Sequence, residues 1–170
     1  GESSYLLGVA PELNDDWQLE AFRPLAQMIC DAPLDLVDGP EIILLSDLHR
    51  GDVLDLTSRV YPHYFRQRTM DMGRYFGIYQ QGKLAAMIGE RMGMDRHQEI
   101  SAVCTDPDFN GRGYARRLLA FLANDNLAGN RQPFLHVSHE NKRALALYEA
   151  MGFRIRRDVP FWALRRSGEK

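Results

Sequence analysis

Apolar residues recur with two different periods along this chain. The runs RYFGIY at 74–79 and LAAMIG at 84–89 are short and rich in aromatic and aliphatic side chains, and Gln80, Gln81, Gly82 and Lys83 separate them. Two such runs around a glycine-containing link predict a β-hairpin. A third run at 99–105 follows a turn-rich gap with Gly93 and Asp95, so three antiparallel strands are expected in succession. The period then changes. Leu118, Leu119, Phe121, Leu122 and Ala123 suit a buried helix, 134–137 reads as a strand, and a second helix begins near Asn141 and closes at Gly152 and Phe153. Two last strands, 153–156 and 161–165, are expected around Asp158 and Pro160.

The first fifty residues are harder to read. Asp15 and Asp16 stand before 17–29, where Leu19, Phe22, Leu25, Ala26 and Ile29 form one helical stripe with Pro24 as a kink, so a helix is expected there. Pro33, Gly39 and Pro40 mark loops around a strand at 41–45. Residues 1–50 are either a divergent opening of the same domain or a small extension packed on it. From 52 to 70 the spacing of Leu54, Leu56, Val60, Tyr61, Tyr64 and Phe65 is partly helical, and Pro62 interrupts it. Aromatic residues at such spacing are most often core.

Composition narrows the class. A length of 170 residues suits a single domain, 1–170, with a full core, and 45% apolar with 26% charged residues is ordinary for a soluble protein. A formal net charge of -2 gives no global attraction to nucleic acid or an anionic membrane. Cys30 and Cys104 are too few for a disulfide framework and read as reduced thiols of a cytoplasmic protein. No apolar run approaches the roughly 18 residues of a membrane helix. His49, His63, His97, His136 and His139 lack metal-ligand spacing, so no metal is expected.

The segment 99–153 carries the chemistry. NGRGYA, residues 110–115, lies between a strand and a helix. The first turn of a helix has backbone N–H groups without internal partners, and with the helix dipole they favour an anion. Gly111 and Gly113 let the backbone approach one, and Arg112, Arg116 and Arg117 add positive charge where the dipole disfavours it. The plain alternative is a glycine turn with solvated arginines. A P-loop needs four residues between its glycines and then Lys with Ser or Thr, which is absent. A dinucleotide fingerprint needs GxGxxG, but Arg116 stands at the third position and the strand 134–137 ends at Ser138 without an acidic residue.

NGRGYA followed by an apolar helix, the strand PFLHV and then HENKRALALYEAMGF resembles the acetyl-CoA-binding core of the GNAT superfamily of N-acetyltransferases. Gly113 and Ala115 match the family's turn, while Asn110 replaces its usual Gln or Arg; Asn141, Tyr148 seven residues later, and Gly152 with Phe153 match its second half. The resemblance implies an α/β fold with a mixed, mostly antiparallel central sheet flanked by helices. In that fold a splayed strand pair holds the cofactor, and a pair of helices before the second strand walls the acceptor pocket. The pantetheine arm is then expected along Val103, Cys104 and Thr105, with Asn141 beside it. The phosphates fall on Asn110, Gly111, Arg112, Gly113, Tyr114, Ala115 and Arg116. Alternation along 99–104 puts Ser101 and Val103 on the face of Glu99 and Cys104 on the other.

By the same resemblance the chain moves an acetyl group from acetyl-CoA to a primary amine by direct attack, without metal. Tyr148 is expected to give its proton to the departing sulfur. As an alternative, it packs in the core between Leu147 and Met151. Asn141 is a helix N-cap in the same sense. Glu99, eleven residues before Asn110, is the candidate base and Glu90 the reserve; a surface ion pair is the other reading of Glu99. A lysine-like amine costs about 4.6 kcal/mol to neutralise at pH 7 and an α-amine about 1, so the acceptor decides whether a base matters. Cys104 among apolar neighbours is expected in the core and not as a nucleophile. Two other functions remain open: a non-catalytic acyl-CoA sensor, and an adaptor that binds a protein through 52–70. Acceptor, acyl length and oligomeric state are not readable.

Overall fold

The computed structural model describes residues 4–60, 62 and 64–167. Strands β1 (Ser4–Leu7), β2 (Trp17–Ile29) and β3 (Ile43–Leu45) come first, then helix α1 (Arg50–Val60) and a 3-10 turn at Thr69–Met72. Strands β4 (Tyr75–Gln80), β5 (Lys83–Met94) and β6 (His97–Thr105) follow. A 3-10 turn at Pro107–Phe109 leads into helix α2 (Tyr114–Ala128), strand β7 (Gln132–Ser138), helix α3 (Lys142–Ala150) and strand β8 (Arg154–Arg166). The strands form one eight-stranded sheet in the order β1-β8-β2-β7-β6-β5-β4-β3. Every neighbouring pair is antiparallel except β6 and β7, which α2 joins as a crossover.

The sheet buries both faces. Met87 and Ile88, adjacent on β5, belong to different clusters, as alternation along a strand requires. Ile88, Ile78, Ile100, Met28 and Leu135 pack with Leu118 and Leu122 of α2 and with Leu145 and Tyr148 of α3. Met87, Tyr75, Leu45 and Cys104 pack with Val53 and Leu56 of α1. Each helix thus contributes one apolar stripe, and the sheet supplies the surface it covers.

Three expected elements are corrected. Residues 17–29 are a strand, because β7 on one side and β8 on the other satisfy their backbone, and such pairing overrides a local helical stripe. Pro24, which has no N–H to give, lies at the register slip between Phe22 and Leu25. Residues 154–166 form one strand where two were expected; Pro160 falls opposite that slip, and its carbonyl accepts from Gly8 N at 2.9 Å. Before β4, among the described residues, one α-helix with 3-10 turns at Asp47–His49 and Thr69–Met72 stands where two helices were expected, and the helix ends at Val60, two residues before Pro62. Tyr61 and His63 lie outside the described residues.

A bulge in β6 sets the faces of the site. Cys104 pairs with Met87 and Ser101 with Gly89, so Ile88 stands opposite both Ala102 and Val103. Ala102 takes φ 50, the left-handed region that a β-carbon disfavours. The extra residue inverts the alternation. Val103 packs with Ile100 on the α2 side, and Cys104 joins Ala102 and Tyr75 on the α1 side. The expected assignment, with Val103 on the Glu99 face and Cys104 opposite, is therefore reversed.

Tyr75 depends on Gly89: a β-carbon there would lie 2.2 Å from Tyr75 Cε1. Gly89→Ala should cost about 1–3 kcal/mol of stability by overpacking. A urea midpoint equal to that of the parent protein would show that the ring relaxes freely.

Candidate active site

The centre of the site is a break in the sheet. Strand β6 pairs with β7 only at His97↔Gln132, Gln98↔Pro133 and Glu99↔Phe134. Beyond Glu99, β6 stays with β5 as far as Thr105, while β7 stays with β2 as far as Ser138. The two strands therefore part, and the backbone groups of 100–105 and 135–138 that face one another do not pair across the fork. Such an edge is able to receive an extended ligand as an added strand would be received.

The glycine turn lies at the open end. Asp106 ends β6 by accepting from Asp108 N at 2.9 Å and from Arg59 Nη1 of α1 at 2.9 Å. Gly111 has φ 76, and Gly113, the N-cap of α2, has φ 78 and no side-chain cap. A β-carbon built on either glycine would meet no protein atom within 4 Å. Packing does not demand these glycines, whereas the left-handed backbone does. Arg112 lies over the Phe109 ring at 5.0 Å, and Arg116 is exposed. Asn110 Oδ1 accepts from Arg143 Nη2 of α3 at 3.2 Å, which ties the turn to the second helix. Tyr114 is buried and Ala115 half-buried. Arg117 does not join the turn's charge: its guanidinium donates to the carbonyls of Val37 and Pro40.

Helix α3 starts where β7 ends. Asn141 caps it, Oδ1 accepting from Ala144 N at 3.1 Å. Tyr148 is 8% exposed and packs with the α2 side, its ring 6.1 Å from that of Phe153. On β6, Val103 and Thr105 are half-buried. Cys104 is buried, and burial pushes its thiol up to about 12, so it is not a thiolate near neutrality.

Both candidate bases are held by arginines. Arg74 Nε and Nη2 donate to Glu90 at 2.9 and 2.8 Å, and Arg74 also reaches Asp125 of α2 at 2.7 Å. Arg91 Nε and Nη2 donate to Glu99 at 2.8 and 2.7 Å. Glu99 is 1% exposed, and its Oε1 also meets His136 Nδ1 at 2.8 Å. Burial pushes the Glu99 carboxyl up, but the hydrogen bonds from Arg91 and His136 together outweigh it and hold the group below the ordinary carboxylate value. His136 follows the last parallel pair by two residues. The sequence signal for it was present, since alternation in PFLHV puts His136 opposite in sense to Leu135 and Val137, but a lone histidine with no metal spacing carried no role. Among the described residues no group of His, Cys, Asp and Glu is arranged to hold a metal.

The family description "FR47-like protein" matches residues 75–163, the hairpin, the fork and both helices. The chain is an FR47-like member of the GNAT superfamily. This GNAT chain is 34% identical to a protein assigned to that family from Novosphingobium aromaticivorans, with a TM-score of 0.83 over 97% of this chain and 74% of the other. The ribosomal-protein-S18-alanine N-acetyltransferase of Escherichia coli shares the fold, with a TM-score of 0.61 at 21% identity over 76% of this chain and 95% of that one. An uncharacterized protein of Mycobacterium leprae is 40% identical over 55 residues, which are 32% of this chain and 15% of that protein's length.

The depressed Glu99 carboxyl has a pH signature. Because its folded value lies below the ordinary 4.5, its ion pair contributes fully above about pH 4.5 and is lost as pH falls through the folded value. In Glu99→Gln the urea midpoint should therefore fall less steeply than in the parent below that pH. Parallel curves for the two proteins would mean that Arg91 and His136 do not depress the group.

Proposed function

We propose that this GNAT chain is an N-acetyltransferase that moves an acetyl group from acetyl-CoA to a primary amine by direct attack. One observation carries the reading: the strand fork opens toward a helix N-terminus that no side chain caps and whose two left-handed glycines leave the backbone bare. These residues fit the group. The edge at Val103–Thr105 suits the pantetheine arm, whose amides need strand-like partners. The turn from Asn110 to Arg116 suits the phosphates, through its N–H groups and the charges of Arg112 and Arg116. The Asn141 amide keeps donors beyond the acceptor used in capping.

When bound, acetyl-CoA supplies the acetyl group as a thioester. The chain's own residues do the rest. The fork orients the acyl carbon by holding an extended arm between two strands. Tyr148, on the α2 and α3 side, gives its phenolic proton toward the departing sulfur. Cys104 takes no covalent part, being a buried thiol on the α1 side.

Calorimetry with acetyl-CoA and thiol release across a panel of amines test this. The expected result is binding with turnover on at least one primary amine. Binding without turnover on any amine would instead support a sensor, and no binding of any acyl-CoA an adaptor. Tyr148→Phe keeps the ring and removes only the donor, so turnover should fall at least about tenfold with acetyl-CoA affinity and melting temperature nearly unchanged. Turnover within twofold of the parent would leave Tyr148 as packing alone.

A further inference from the structure

On the α1 side of the sheet a line of polar side chains crosses five strands. Arg91 of β5 donates to Glu99 of β6, whose Oε1 lies 2.8 Å from His136 Nδ1 of β7. His136 Nε2 lies 3.1 Å from Gln27 Nε2 of β2, and Gln27 Oε1 accepts from Arg156 Nη1 of β8 at 2.7 Å. The two ends fix the direction of every bond between them. Arg156 is an obligate donor, so the Gln27 oxygen faces it and the Gln27 amide N–H faces His136. His136 Nε2 must then accept, which leaves the ring proton on Nδ1, donated to a carboxylate that Arg91 keeps ionised.

We propose that His136 is the base of the reaction and that Glu99 is a positioning residue which holds the ring in this tautomer. The inference rests on the acetyltransferase reading above. Its place in the fold supports it. Glu99 is the last residue of the parallel ladder and His136 stands two past Phe134, so the pair sits where the strands begin to part. Phe134 braces the imidazole edge-on at 5.7 Å. The phosphate turn and Tyr148 belong to the α2 and α3 side; Glu99 and His136 alternate with Ile100, Leu135 and Val137 of that side and so belong to the other. Base and acid thus flank the fork from opposite faces. Glu99 itself offers no free lone pair to an incoming amine, since Arg91 and His136 share Oε1 while Arg91 and the Met92 N–H share Oε2.

Gln27 shows what Nε2 accepts. Its amide N–H is a neutral nitrogen donor on the lone pair that a neutral amine's N–H would use, so an amine reaches Nε2 by displacing the half-buried Gln27 side chain. In the step, the nitrogen–carbon bond forms and the carbon–sulfur bond breaks. The nitrogen's proton passes to His136 Nε2, the sulfur takes the proton of Tyr148, and exchange with water returns imidazolium and phenolate to their starting states. The geometry is that of a carboxylate-oriented histidine, which acts through Nε2 while the carboxylate itself stays ionised. The acceptor class that needs such a group is an aliphatic primary amine: it enters neutral, its ammonium proton already released to water, and once bonded to the acyl carbon its nitrogen still holds the proton that His136 removes.

Two measurements test the proposal. In the nitrogen-15 spectrum of the wild-type imidazoles, assigned with His136→Gln as reference, His136 should show the Nδ1-protonated neutral form near pH 8; an Nε2-protonated ring would overturn it. In thiol release with the fastest aliphatic amine of the panel, His136→Gln should lose at least about tenfold in turnover, and the double variant with Glu99→Gln should lose no more than that single one. A smaller loss in His136→Gln, or fully multiplicative losses in the double variant, would overturn it. A wild-type protein that releases thiol with no amine would refute the acetyltransferase reading instead, and the ring's tautomer would still decide the inference about Glu99 and His136.

Discussion

An interrupted ladder in the middle of a sheet is the feature on which the rest depends. Backbone groups inside a sheet are nearly always paired, so two adjoining strands that part after three residues need a cause on each side. On β6 the cause is the bulge at Ala102, which bends the strand and keeps it with β5. On β7 it is the five-residue pairing of Leu25–Ile29 with 134–138, which commits that strand to β2. Helix α2 spans the crossover between the two, and its N-terminus lies at the end of the fork because the chain leaves β6 there.

The buried carboxylates around the fork are better understood as alignment than as stability. Glu90, Glu99 and Asp106 are 3%, 1% and 2% exposed, and each meets one arginine whose own side chain remains partly in solvent. Desolvation of a carboxylate largely offsets what the pair gains, so the net contribution is small while loss of one partner is costly. What each pair fixes is a relation between elements. Arg74 joins β4, Glu90 of β5 and Asp125 of α2; Arg59 joins α1 to the end of β6; Arg91 and Glu99 lock β5 to the last rung of the parallel ladder. The same tie withdraws Glu99 from direct contact with a substrate and gives the neighbouring histidine an oriented proton.

Period and glycine placement made the central hairpin, the strand–turn–helix and the capped second helix readable, because those elements are decided by residues close in sequence. The strand at 17–29 was not readable: its partners lie more than a hundred residues away, and its apolar positions satisfy a helical stripe as well as a strand. The bulge at Ala102 was hidden too, since nothing in ISAVC marks the residue that takes positive φ, and missing it reversed the faces of Val103 and Cys104. The role of Arg117 depended on loop carbonyls at 37 and 40, and that of His136 on Glu99 and Gln27 from two other strands. Local geometry was legible in the turn; contacts assembled across strands were not.

The N-terminal strand is more than a decoration on the family's core. The family match begins at 75 and ends at 163, yet β7 and β8, the first inside it and the second inside it as far as Ala163, do not pair with each other. Strand β2 lies between them and supplies the partner for both, with Ala26 and Met28 completing the packing beneath α2 and α3 on one face. On the opposite face the same strand brings Phe22 against Phe161 and Tyr5, which Tyr64 from the segment after α1 covers, and it brings Gln27 to His136. Without β2 the matched stretch would have an open edge at β7, a detached β8 and an imidazole whose second nitrogen is unplaced. The segment that was hardest to interpret from sequence is therefore the one that closes the sheet and completes the polar line at the fork.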